Sequence, residues 1–217
     1  MKQAPQKIGF KETLAWYEQN AKTYNQTTAK KPDFFLIDRF LDKITPGGLI
    51  LDAGCAGGRD CSIFAQKGYS PIGIDAVKAF VAEAKITYPE LNFVLGNFTK
   101  LPFADNSFAG VWAHASLLHL ETISEVKTAL KEFFRVLKSG GIAHIYVKKQ
   151  LNQEKTSNVS QNYSGEFGRF FRWFEAKELE TLIEKAGFEI NIFDDNYTRK
   201  GGRQDIKWLA VLAKKPK

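Results

Sequence analysis

The sequence predicts an α/β chain with an open sheet of seven strands, mostly parallel but with an antiparallel last strand, and helices on both faces. Three observations predict it. Short apolar runs alternate with helix-like segments through the middle of the chain, as a parallel sheet covered on both faces requires. A glycine-rich turn follows the first of those runs, and the last two runs lie too close together to hold a crossover helix. With 217 residues, 44% of them hydrophobic and 25% charged, the chain should form one domain whose core needs neither metal nor disulfide.

The elements follow in order. Phe10, Leu14, Tyr17, Ala21 and Tyr24 recur at helical spacing, so a helix is expected over 10–24 with its two tyrosines on one face. After Pro32 a second helical pattern, Phe35 to Leu41, is stopped by Thr45-Pro46-Gly47-Gly48. Residues 1–45 are thus expected to form a helical lid on a core of 46–217. The strands expected next are Leu49–Asp52, Pro71–Asp75, Asn92–Leu95, Phe108–Ala113 and Ile142–Val147. Helices fall near Arg59–Lys67, Val77–Thr87, Ile123–Leu137 and Ala176–Lys185. Glu189–Phe193 and Ile206–Ala213 should pair antiparallel through the polar connection Asp194–Asp205. The polar stretch Asn152–Ser164 is the expected mobile insertion, part of a lid insertion at about 150–172.

Composition excludes several classes. Cys55 and Cys61 share one short stretch, which rules out a disulfide framework and points to a cytoplasmic setting. The start, MKQAPQKIGFKE, lacks the apolar core of a secretory signal, and no run reaches the roughly 20 apolar residues that span a bilayer. Net charge is +7, and from Arg199 to Lys217 seven Lys or Arg stand against the single acid Asp205. Such a cluster attracts phosphate backbones, which leaves RNA open as a partner. A solvated tail beside a lysine-protected sheet edge gives the same composition and is the preferred reading.

The most informative stretch runs from Leu49 to Asp60: a buried strand, Asp52, a turn with Gly54, Gly57 and Gly58, then a helix beginning at Arg59. Glycines let backbone approach a ligand closely, and helix N-terminal amides receive acceptor atoms. Asp75 ends the next strand, where a carboxylate accepts both hydroxyls of an adenosine ribose. Asn97 ends the third, where an amide can bond the adenine edge while Phe98, or Ala76 and Val77, covers a ring face. Singly, each has a plainer explanation as a tight turn, a helix cap or a turn residue. Three strand ends in register, each with the residue type an adenosyl ligand needs, outweigh those explanations. A nicotinamide site is disfavoured, since the G-x-G-x-x-G order and a Tyr-x-x-x-Lys pair are missing, and no Gly-Lys dipeptide supplies a P-loop.

On these residues the chain, from about Tyr17 to Lys214, resembles the class I S-adenosylmethionine-dependent methyltransferases, whose sheet is Rossmann-like. Ala56 stands where the family most often has glycine and Asn97 where aspartate is usual; alanine adds one methyl, and asparagine keeps a carbonyl acceptor for the adenine amino group. Leu101–Phe108 and Glu132–Gly141 look like the small-molecule and tRNA-modifying branch related to ubiquinone and menaquinone methyltransferases. The resemblance implies S-adenosylmethionine held by Asp52, Ala53, Gly54, Cys55, Gly57, Asp75, Ala76, Asn97 and Phe98. Tyr17 and Tyr24 resemble the family's N-terminal lid, closing over the methionine end where an aromatic face attracts a sulfonium. Arg59 either reaches the ligand carboxylate or pairs with Asp60, and His114 borders the cofactor.

Methyl transfer from a sulfonium is largely a positioning problem. Where a proton must leave, His114 and His119, just after strand four, are the candidate bases, although His114 packing on the cofactor and His119 capping a helix are the plainer readings. No Asn-Pro-Pro-Tyr or Asp-Pro-Pro-Tyr motif holds a nucleobase amine. The aromatic run Gly165–Phe174 carries Arg169 and Arg172 as candidate ligands of an acidic or planar substrate. The expected function is methyl transfer to a small molecule. The alternatives are a tRNA-modifying enzyme of the wobble-uridine carboxyl type and a catalytically silent binding subunit. A monomer or homodimer is expected, with no membrane partner.

Overall fold

A computed structural model describes residues 8–151, 156–159, 168–198 and 206–217. The periodic segments become α1 (Phe10–Ala29), α2 (Phe34–Leu41), β1 (Leu49–Ala53), α3 (Arg59–Gln66), β2 (Ser70–Asp75), α4 (Lys78–Thr87) and β3 (Asn92–Leu95). After these come β4 (Phe108–His114), a 3-10 turn (Leu117–His119), α5 (Ile123–Val136) and β5 (Leu137–Lys148). The chain ends with β6 (Thr156–Val159), β7 (Arg169–Arg172), α6 (Ala176–Lys185), β8 (Glu189–Tyr197) and β9 (Trp208–Lys214).

Seven strands form the main sheet in the order β3-β2-β1-β4-β5-β9-β8. All neighbours from β3 to β5 pair in parallel, and β9 runs antiparallel to both β5 and β8. The chain leaves β1 toward β2 and β3, then returns to place β4 on the other side of β1. That reversal opens a crevice at the carboxyl ends of β1 and β4, the standard ligand position in open α/β sheets.

Each face of the sheet buries a separate apolar layer. Leu51, Val111, Ile145 and Val211 pack against Val126, Leu130 and Phe133 of α5 and Leu179 and Ile183 of α6. The opposite face carries Ile50, Trp112 and Tyr146 against Leu36, Ile37 and Phe40 of α2 and Phe64 of α3. Burying such a side chain contributes about 1.5–3 kcal/mol before entropy is charged against it. Local chemistry starts the helices: the Asp33 carboxylate accepts from Leu36 N at 3.3 Å for α2, and Thr122 with Glu125 forms a capping box for α5.

Three differences from the sequence reading have physical causes. First, α2, grouped there with the lid, is a core helix, because its four buried residues Leu36, Ile37, Phe40 and Leu41 lie under the sheet; α1 alone crosses the strand ends. Second, α1 continues to Ala29, where Thr27 and Thr28 donate to the carbonyls of Thr23 and Tyr24, polar contacts that leave no apolar periodicity. Third, β5 begins already at Leu137, because Gly140 and Gly141 pair with Lys215 at the sheet end remote from the crevice. Within the expected insertion, β6 pairs antiparallel with β7, while the rest of Asn152–Ser164 lies outside the described residues.

Candidate functional site

The loop after β1 is shaped by what approaches it. Gly54 has φ +87°, and a Cβ there would sit 2.4 Å from Ser116 Cβ, so only glycine fits. At Gly57 a Cβ would meet the Asn25 carboxamide of α1 at 2.5 Å, and Asn25 in turn donates to Glu83 of α4. Ala56, where the family prefers glycine, adopts φ +46°, at a cost of about 1–2 kcal/mol. A bond from its N–H to Asp75 Oδ2 at 2.9 Å holds it there. Gly54 N and Cys55 N both donate to Ile74 O, at 2.8 and 3.1 Å, so the loop is fastened to the end of β2.

Asp75 is therefore both an anchor and a candidate ligand. Its Oδ1 accepts from Val77 N at 2.9 Å, and each oxygen keeps a further lone pair. Burial pushes its carboxyl up to about 6, against the pull of the Val77 and Ala56 amides. At the end of β3 the Asn97 side chain accepts from Thr99 N at 2.9 Å, and Phe98 packs on Phe133 with ring centroids 6.0 Å apart. Ala53 is fully buried in the core layer, so only its backbone faces the loop.

Asp52, Trp112 and His144 are neighbours across β1, β4 and β5 on one sheet face. Asp60, at the start of α3, takes two bonds from Arg59 at 2.7 and 2.9 Å and one from Trp112 Nε1 at 3.0 Å. Burial alone would raise its pKa, but the Arg59 guanidinium more than offsets this and holds it below the usual carboxylate range. Asp52, buried beside that charge and receiving Cys61 Sγ at 3.4 Å, is pushed well above that range. Of the two expectations for Arg59, the structure shows the pairing with Asp60, and Arg59 Nη1 also reaches Thr28 O and Lys31 O at 3.1 and 3.3 Å. That guanidinium staples the end of α1 to the start of α3.

Over the crevice, Tyr17 and Tyr24 meet edge to face with centroids 5.1 Å apart, both against Phe80 of α4. Arg169 Nη1 donates to Tyr17 Oη at 3.2 Å. His119 Nδ1 lies 2.9 Å from Phe170 O, so it carries the proton, and its Nε2 accepts from Tyr17 Oη at 3.0 Å. Burial pulls the His119 pKa down to about 3, which keeps the ring neutral with both nitrogens engaged. His114 Nδ1 lies 3.2 Å from Nε2 of the buried His144.

Neither arginine proposed from the sequence as a substrate ligand lines the crevice. Arg169 is 8% exposed and lies over the Trp16 ring at 4.5 Å, while Arg172 donates to the carbonyls of Leu120 and Glu121. Both guanidiniums are spent on holding α1 and the 3-10 turn to β7.

The crevice has two compartments that meet at Tyr24, Gly54, Ala56, His114 and Ala115. The larger, about 530 Å³, is bordered by Asp52, Cys55, Gly57, Arg59, Tyr146 and Trp208. The smaller, about 90 Å³, is bordered by Tyr17, Asp75, Ala76, Asn97, Phe98, Ser116 and His119. Ser116 is 6% exposed, and its Oγ has no hydrogen-bond partner among the described residues. An orphaned hydroxyl, a cradle that admits no Cβ and a buried carboxylate with spare lone pairs suit an adenosyl ligand. Sequence reasoning named Asp60 only as a partner for Arg59, and it missed Ser116, His144, Tyr146 and Trp208. The one available signal was that Ser116 stands two residues past the strand end at His114.

Comparison with known proteins agrees with this geometry. A family described as "Methyltransferase domain" matches residues 51–145. An uncharacterized methyltransferase of Synechocystis sp. is 37% identical over 149 residues, covering 68% of this chain and 69% of the relative. The demethylmenaquinone methyltransferase of Renibacterium salmoninarum is 34% identical over 96 residues, 44% of this chain and 39% of the relative. In structure, the 1,6-didemethyltoxoflavin-N1-methyltransferase of Burkholderia thailandensis, solved with its substrate and S-adenosylhomocysteine, superposes with a TM-score of 0.73. That likeness covers 99% of this chain and 93% of the other at 20% identity. With its switch-point crevice, its glycine loop tied to Asp75 and these relatives, the chain belongs to the class I S-adenosylmethionine-dependent methyltransferases.

Proposed function

We propose that this chain transfers the methyl group of S-adenosylmethionine to a small-molecule acceptor. The observation that carries the reading is the two-compartment crevice over the switch point, joined at Gly54 and His114 and roofed by α1. Asp75 and Asn97 would hold the nucleoside, Asp52 and the Gly54–Gly57 loop would border the methionine end, and the arm between His114, Tyr146 and Trp208 would take the acceptor. The cofactor supplies an activated methyl group on a sulfonium; the chain must orient the acceptor in line with it and exclude water.

In this reading His119 orients the Tyr17 hydroxyl and stays neutral across the physiological range. His114, which borders both compartments and is backed by His144, is the group placed to receive a proton from a hydroxyl or amine acceptor. A carboxylate acceptor needs no such base.

A small acceptor is favoured over RNA by where the basic residues lie. Lys214 pairs with Ile142 at the start of the core segment of β5, six residues and therefore about 20 Å from Lys148 at its crevice end. Lys215 Nζ is already bound to Asn106, Phe134 O and Leu137 O. Lys207, beside Trp208 at the crevice end, donates to Thr198 Oγ1 at 2.8 Å, and Lys217 follows Lys215 at the remote end, while Arg199, Lys200 and Arg203 lie outside the described residues along with Asp205. No described helix is long and apolar enough to cross a membrane.

Calorimetric titration with S-adenosylmethionine and S-adenosylhomocysteine, with NAD and NADP as controls, tests the reading. Selective binding of the adenosyl ligands, followed by turnover on small acceptors, is the expected result. Binding of the nicotinamide cofactors instead overturns it, and adenosyl binding with no turnover on metabolites or tRNA replaces it with a silent binding subunit.

A further inference from the structure

We infer that His144 is a positioning residue: its Nε2 accepts from His114 Nδ1–H, which fixes the neutral tautomer of His114 and makes Nε2 its proton-accepting atom. The inference rests on the methyl-transfer reading, in which His114 takes the proton of a hydroxyl or amine acceptor. The two rings stand on neighbouring strands, with His114 at the crevice end of β4 and His144 one row below it on β5. His114 Nδ1 and His144 Nε2 lie 3.2 Å apart, so one nitrogen donates and the other accepts. His144 cannot turn to suit its partner. It is 1% exposed, stacked on Trp112 with centroids 3.8 Å apart, and crossed by the Phe40 ring at 6.2 Å.

Only one of the two arrangements survives the reaction. The acceptor gains a methyl cation from the sulfonium, which becomes a neutral thioether, and gives its proton to His114 Nε2. The resulting imidazolium carries N–H on both nitrogens, so its Nδ1 can only donate, and His144 Nε2 must accept. That requires His144 to stay neutral. Burial pushes its pKa well down, and Arg39 of α2, which borders the same small groove beside β9, opposes a charge there. Asp60 of α3 favours a cation at His114, while Asp52 of β1, Tyr24 of α1 and Tyr146 of β5 are the other titratable groups nearby. The pair is thus polarised, with the positive charge placed on the crevice ring. A charge-assisted bond from that ring to His144 is stronger than the neutral bond it replaces, so His144 raises the basicity of His114 as well as aiming it.

The test is nitrogen-15 NMR of the three histidines, assigned by single substitutions. In the unmodified chain near pH 8, His114 should carry its proton on Nδ1, and acidification should protonate Nε2 while His144 stays neutral. His144→Phe keeps a ring against Trp112 and removes the acceptor. There the His114 pKa should fall by about one unit, a tenfold change, and its proton should move toward Nε2. His144→Gln can set a carbonyl oxygen where Nε2 stood, and it should restore both values. An Nε2–H tautomer of His114 in the unmodified chain overturns the inference, and so does an unchanged His114 pKa in folded His144→Phe. The tautomer in the unmodified chain decides the matter even where a variant does not fold. Addition of S-adenosylhomocysteine tests the underlying reading separately: bound ligand should shift the His114 signals. A chain that binds none of it loses the methyl-transfer reading, while the tautomer still shows whether His144 positions His114.

Discussion

The two halves of the crevice are built in opposite ways. On the nucleoside side, the contacts join residues close in sequence: Ala56 to Asp75 spans 19 positions and Asn97 to Thr99 spans 2. On the roof side, they join the start of the chain to distant segments: Tyr17 to His119 spans 102 positions, Arg169 to Tyr17 spans 152, and Phe170 to Thr13 spans 157. The first set forms once adjacent parallel strands align, and it is rigid because the sheet is. The second closes only after a helix from the start of the chain and a late hairpin meet over the strand ends, so it gains less per ordered residue and should open first. Holding the cofactor and admitting the acceptor are thereby assigned to parts of different stability.

The contrast can be broken or sharpened experimentally. The largest effect is expected from Asp75→Ala, which removes a charged acceptor from the nucleoside half and should weaken adenosyl binding by about 1.5–3 kcal/mol; unchanged affinity in a folded protein would place the ligand elsewhere. Arg169→Met should cost about 2 kcal/mol, the scale of a desolvated cation–π contact, and its effect should stay in the roof. Hydrogen exchange should quicken in α1 while β1 and β4 keep their protection; equal loss in the strands would mean the halves are one unit.

A pH effect should follow next in size. With its folded pKa raised to about 6 from the ordinary 3.8, the Asp75 carboxylate is the form that folding disfavours. Its contribution to stability is therefore most favourable below about pH 4 and declines as pH rises toward about 6. Ribose hydroxyls favour the carboxylate, so adenosyl affinity should rise about tenfold between roughly pH 5 and pH 7. Calorimetry at both values checks this, and Asp75→Asn should abolish the rise. The smallest effect is expected from Tyr17→Phe, which removes the hydroxyl shared by His119 and Arg169 and should cost about 0.5–1.5 kcal/mol by chemical denaturation. Cofactor affinity should hold there while turnover falls; lowered affinity with intact turnover would move Tyr17 to the nucleoside half.

The same division explains what could be read from the sequence. Strand order, the glycine turn and the acids at strand ends follow from period and spacing, which is why Asp52, Asp75 and Asn97 were found at their positions. The orientation of the Asn97 amide was not legible, since it depends on a turn bond two residues on. Apart from the Tyr17 and Tyr24 pair within α1, roof contacts have no spacing signal. Trp16 and Arg169 stack through a fold that brings residues 152 or more positions apart together, so the arginines read as free ligands. His144 was hidden differently: it sits inside an apolar strand, and only the register with Trp112 shows that it backs His114.

Trp16 lends the roof an optical handle. Of the four tryptophans, Trp112 is fully buried beneath the sheet and stacked 3.8 Å from His144, so its emission should be indifferent to events above. Trp16 instead rests between Arg169 and the Tyr17 ring, in the part of the molecule that must part to let an acceptor in. Its fluorescence should shift and its quenching by added iodide should rise each time the roof lifts, which makes opening and closing readable in real time without any attached dye.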